Sequence, residues 1–94
     1  MVRFEPPTPA MSRRTFMTRA TARGLALDRA TQLLYDNVSF YINGEAVARR
    51  GAGIDLLRRL ANRRELSSGE CGALSVPLWE LLYEWYRNGF VRLG

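Results

Sequence analysis

Arg49 and Arg50, followed by Gly51-Ala52-Gly53, set two guanidinium groups and two glycines just ahead of a leucine-rich segment. A strand-to-helix junction of this kind offers free backbone N–H groups where a phosphate can bind. The neighbouring residues argue against a nucleotide cradle. The dinucleotide fingerprint needs a third glycine where Leu56 stands, and no Lys-Ser/Thr follows as in a P-loop. A flexible loop ahead of a helix is the simpler account. The arginines group as 13/14, 49/50, 58/59 and 63/64. Arg58 and Arg59 face away from a Leu57/Leu60 stripe. A basic helix beside a β-hairpin is how some nucleic-acid readers meet a duplex, so Arg49, Arg50, Arg58 and Arg59 are candidate anion contacts. No array of aromatic and basic residues for base stacking accompanies them, and each also suits a solvated face.

The segment "PLWELLYEWYRNG" carries more information. Leu78, Leu81, Leu82 and Trp85 recur at i, i+3, i+4 and i+7, a complete core stripe. Trp79, Tyr83 and Tyr86 form a second stripe at i, i+4 and i+7 beside it. A small domain seldom has core enough for two aromatic-rich faces. Some of these rings are therefore expected half-buried against another protein surface, since Trp and Tyr are enriched at interface centres. Packing against the chain's own first helix and sheet is the competing account. Glu80 and Glu84 share a face and suit a solvent stripe, with Glu84 reaching Arg87 at i+3. Cys71, beside Gly72, has no base nearby and suits a small structural role.

Composition removes several function classes. The 94 residues contain no histidine and one cysteine, with fourteen basic residues against nine acidic and a net charge of +5. Without histidine there is no Ser–His or Cys–His nucleophile, no two-histidine iron site and no His-rich zinc site. One cysteine makes no internal disulfide, which suits a reducing, cytoplasmic setting. Every basic residue is arginine, a pattern that genome-wide codon usage produces without any ligand. No apolar run approaches the ~20 residues of a membrane helix, and no signal peptide is evident. A domain of this size buries roughly 60–65% of its unfolded surface, so its core is modest.

The elements that position these residues follow from local signals. Residues 1–11, with three prolines, read as an extended arm or linker, and 12–94 as a single domain. Ser12 is the expected N-cap of a helix to about Arg23, with Gly24 as its stop. Asp36-Asn37 and Asn43-Gly44 are expected two-residue turns in a three-stranded antiparallel meander over roughly 31–48. Val38, Phe40 and Ile42 alternate there with Ser39 and Tyr41. Ile54, Leu56, Leu57, Leu60 and Ala61 make the apolar stripe of a helix near 54–63. Ser67 to Glu70 fits a capping box for a short helix to about Leu74. Ser75 and Pro77 open a third helix stopped by Gly89, and "FVRLG" closes as a short strand.

The run "DRATQLLYDNVSFYINGEAVA", with "LLRRLANRREL" and the closing "LLYEWYRNGF", resembles the C-terminal winged-helix-like region of JmjC-type cupin ribosomal oxygenases. "MSRRTFMTRATARGLALD" is similar to the helix that precedes this region there, so the resemblance covers roughly residues 10–94. It implies a small α+β, winged-helix-like domain: an N-terminal helix, the meander, two or three helices and a short final strand. It also implies a place after a cupin and a dimerisation region. The family's iron sits in that cupin on an H-x-D…H set, which a chain without histidine lacks. Fe(II) and 2-oxoglutarate are accordingly expected only in an upstream cupin, with no catalytic, cofactor or metal residue in this chain.

The expectation is thus a non-catalytic accessory domain, probing protein through the Trp79/Tyr83/Tyr86 side. Its partner would be the upstream cupin or dimerisation region, or a second copy of the chain. The parent would be a cupin-type hydroxylase acting on a ribosomal protein. The alternative is a freestanding winged-helix module that binds nucleic acid through Arg49, Arg50, Arg58 and Arg59.

Overall fold

The computed structural model describes residues 3–37, 39–47 and 54–94. The first helix, α1 (Arg13–Arg23), begins where the Ser12 hydroxyl accepts the Thr15 N–H at 3.2 Å. It ends at Gly24, whose φ of 82° lies in the left-handed region. A side chain at Gly24 would also collide with the Leu66 carbonyl, so glycine is required there twice over.

The chain then forms β1 (Leu25–Leu27), β2 (Leu33–Tyr35), β3 (Phe40–Ile42) and β4 (Glu45–Val47). β2, β3 and β4 make the expected antiparallel meander, with Leu33 opposite Ile42 and Phe40 opposite Val47. Asn43 (φ 50°) and Gly44 (φ 87°) take the paired left-handed conformations that a type I′ hairpin needs. Asn43 also staples the strand start: its Oδ1 accepts the Gln32 N–H at 2.9 Å, and its own N–H donates to the Gln32 carbonyl at 2.8 Å.

The other turn differs from expectation. Tyr35 pairs with Phe40, so Asp36 and Ser39 flank the turn, which is centred one residue later than Asp36-Asn37. The Asp36 carboxylate explains the shift, because it accepts the Ser39 N–H at 2.7 Å as the first residue of a β-turn. Val38, expected on the buried face, lies outside the described residues.

α2 (Ile54–Arg63) buries Leu56, Leu57 and Leu60. β5 (Glu65–Leu66) and α3 (Ser68–Cys71) follow. The Ser67/Glu70 capping box is present, but α3 ends at Cys71 rather than near Leu74. Gly72 terminates it, and the chain passes through a tight turn, Leu74 N–H to Cys71 carbonyl at 3.2 Å. α4 (Val76–Arg87), with Pro77 in its first turn, leads through Gly89 (φ 82°) into β6 (Val91–Leu93).

A second antiparallel sheet, ordered β5-β1-β6, ties the helices together. Leu25 sits between Leu66 and Leu93 in it. One buried polar side chain, Thr31, bridges the two halves by donating from its hydroxyl to the Phe90 carbonyl at 2.7 Å. The core is centred on Phe16, Phe40, Leu60 and Leu82, each fully buried, and each worth about 1.5–3 kcal/mol of apolar burial. The N-terminal arm packs back onto this body. Phe4 meets Phe90 edge-on at 4.8 Å, and the Glu5 backbone crosses Gly89 so closely that a Cβ there would come within 2.9 Å. The Cα radius of gyration, 12.3 Å, is that of a compact chain of this length, arm included.

Candidate functional site

Trp79, Tyr83 and Tyr86 lie on the side of α4 that faces α1. Phe16 from α1 stacks on Tyr86 at 4.7 Å, tilts toward Tyr83 at 5.6 Å and meets Trp79 edge-on at 6.1 Å. Such pairs add about 0.5–1.5 kcal/mol each beyond burial, so Phe16 is the anchor of the helix pair. Trp79 and Tyr86 are only 6% and 7% exposed, which places both inside the core. For these two rings, the surface expected of a partner is supplied by the chain's own α1 and arm. Tyr83 alone of the three is half-buried. Both phenols have partners on the arm: the Tyr83 hydroxyl donates to the Met11 carbonyl at 2.8 Å, and the Met11 N–H donates to the Tyr86 oxygen at 3.0 Å. The two tyrosines therefore clamp the backbone of one residue, Met11, just ahead of α1.

The acidic stripe of α4 is arranged differently from the i, i+3 expectation. Glu80 pairs with Arg13 of α1 at 3.3 Å. Arg87 lies over the Tyr83 ring at 6.0 Å, where the ring's π face attracts the guanidinium. No Glu84–Arg87 ion pair forms among the described residues.

Of the four candidate anion contacts, the two described, Arg58 and Arg59, are each held in an ion pair. Arg58 pairs with Asp55 at 3.2 Å and lies over the Tyr35 ring. Arg59 pairs with Glu70 at 3.0 Å, and Arg63 approaches the same carboxylate oxygen at 3.4 Å. Glu70 in turn accepts the Ser67 N–H at 2.9 Å. That backbone bond first, and the Arg59 bond second, hold the Glu70 carboxyl below its ordinary range. Arg64, just past α2 with φ 63°, spends its guanidinium on the Asp28 carbonyl at 2.9 Å. The arginines on and after α2 thus bind the helix to its neighbours. Arg49, Arg50 and the Gly51–Gly53 loop lie outside the described residues.

Cys71 is fully buried, and desolvation, followed by the nearby Glu70 charge, pushes its thiol up to about 11. It stays protonated at neutral pH and packs as a small apolar group. Among the described residues no three of the metal-ligating types come together, and no helix is long and apolar enough to cross a membrane. The residues present do not fit the iron that the resemblance places in a cupin, because the chain offers no imidazole at all.

The geometry is that of a packed module in which Trp79 and Tyr86 are buried against the chain's own α1 and arm. No curated protein matches the sequence. The fold is similar to that of Escherichia coli ribosomal oxygenase YcfD, at a TM-score of 0.80 and 20% identity, over 100% of this chain and 26% of that one. A second structure of E. coli YcfD is similar at a TM-score of 0.79 and 16% identity, again over 100% and 26%. The chain therefore spans about a quarter of the length of these solved relatives. The family model for the ROXA-like winged helix matches residues 2–92, and the chain belongs to the ROXA-like winged-helix family.

Proposed function

We propose that this domain is a non-catalytic accessory part of a larger cytoplasmic protein hydroxylase of the cupin type, acting on a ribosomal protein. The observation that carries this reading is a family match over residues 2–92 in a chain with no histidine. The chain's coverage of 26% of a solved ribosomal oxygenase supports a place within such a parent. In that setting Fe(II) and 2-oxoglutarate belong to the upstream cupin. The contact side toward that cupin, or toward a dimerisation region, is built around Tyr83, backed by Trp79 and Tyr86 from the core. The test is turnover. The purified chain, given Fe(II), 2-oxoglutarate and ribosomal protein, is expected to release no succinate, while the parent protein does. Succinate release by the 94 residues alone would overturn the proposal.

The runner-up is a freestanding nucleic-acid module contacting phosphate through Arg49, Arg50, Arg58 and Arg59, supported by the net charge of +5. The ion pairs of Arg58 with Asp55 and of Arg59 with Glu70 speak against α2 as the reader, because a phosphate would have to displace a carboxylate from each. Binding to duplex DNA or RNA would fall with salt by a log–log slope of ~0.9 per phosphate neutralised. Absence of binding at low salt removes this alternative.

A further inference from the structure

On the side of α4 away from the Tyr83–Tyr86 clamp, the meander does not close over the helix. An open groove of about 240 Å³ remains between β4 and α4. Val47, Leu81 and Phe90 line it and are only partly buried, so an apolar floor is left unfinished. Its charged lining groups are two carboxylates, Glu45 and Glu84. Neither has an ion-pair partner among the described residues, in a chain whose net charge is +5.

The backbone beside this groove is also unfinished. Among the described residues β4 is an edge strand, in the order β2-β3-β4. Glu45 pairs with Ile42 across the two-residue Asn43-Gly44 loop, which makes Ile42 and Glu45 the hydrogen-bonded pair nearest the turn. The alternation of an antiparallel ladder then turns the N–H and C=O of Ala46 away from β3, toward the open edge. Ala46 itself lines the groove.

We propose that the groove binds an extended peptide in which arginine or lysine alternates with apolar residues, added to β4 as a fourth strand. Pairing with Ala46 supplies main-chain affinity, and alternate side chains face opposite ways, so every second residue reaches the apolar floor. The basic side chains meet Glu45 and Glu84, which repel an acidic strand. The groove lies wholly within this chain, so its test needs no upstream domain and is separate from the accessory role.

The test is a titration of the isotope-labelled chain with a short synthetic peptide of alternating valine and arginine, followed by amide NMR. Shifts are expected at 45–47 and 81–90. Glu45→Gln and Glu84→Gln should each weaken binding about threefold, as exposed ion pairs do, and reduce its salt dependence. Ala46→Pro should abolish binding with the circular dichroism spectrum unchanged, because that N–H points out of the sheet. Equal binding of a valine–glutamate peptide, or shifts confined to other regions, would overturn the proposal. So would full binding by Glu45→Gln/Glu84→Gln, a pair of surface changes that leave the core intact. Shifts at β4 that grow with protein concentration and no peptide would assign the edge to a second copy instead.

Discussion

The two long sides of α4 have been built to opposite standards. Toward α1, Trp79, Tyr83 and Tyr86 close around Phe16, and both phenols find partners on Met11. Toward β4, Leu81, Val47 and Phe90 are left partly open, with two carboxylates that lack ion-pair partners among the described residues. The comparison teaches that aromatic content alone does not mark a binding surface. Two of the three rings, Trp79 and Tyr86, are core, and only the half-buried Tyr83 keeps a face toward solvent. The smaller apolar strip lies beside β4 and two carboxylates without ion-pair partners among the described residues, which is where the peptide proposal places its ligand.

The comparison can be broken first on its aromatic side. Trp79→Ala should cost about 3–5 kcal/mol, read from urea unfolding, as for large core rings. A cost near zero would return Trp79 to the surface. Tyr86→Phe keeps the ring stack and removes only the acceptor for the Met11 N–H, so its cost should be about 0.5–1.5 kcal/mol by the same measurement. Glu84→Gln, on the groove side, should change stability by no more than about 0.5 kcal/mol, since that carboxylate is exposed and has no ion pair among the described residues.

The α2–α3 junction sharpens the account through pH. The folded Glu70 carboxyl lies below its unfolded value, so the stabilisation it gives is present at neutral pH and is lost as pH falls through the folded value. Acid unfolding of Glu70→Gln, compared with the parent sequence, should show a shallower loss on the acid side. Superimposable profiles would mean that the Ser67 cap and Arg59 do not hold the charge.

What the sequence revealed divides along the same physical line. The Ser12 cap, the Asn43-Gly44 turn, the α2 stripe and the Ser67/Glu70 box are local, set by residues within four positions of one another. β1 and β5 were beyond such signals: "LAL" and "EL" are too short to show alternation, and their pairing joins Leu25 to Leu66. Periodicity placed Trp79, Tyr83 and Tyr86 on one face, but could not say that α1 covers it. The i, i+3 rule likewise paired Glu84 with Arg87, whereas the nearby Tyr83 ring holds that guanidinium. Glu45 and Glu84 are thirty-nine positions apart, and only the fold brings them to one groove.

The central claim, that these 94 residues serve inside a larger oxygenase, is tested most directly by the native size of the protein in its own cells. An immunoblot with an antibody raised against this chain should show a band several times heavier than the chain itself. A band at the mass of the 94 residues alone would contradict the account and make salt-dependent nucleic-acid binding the next question.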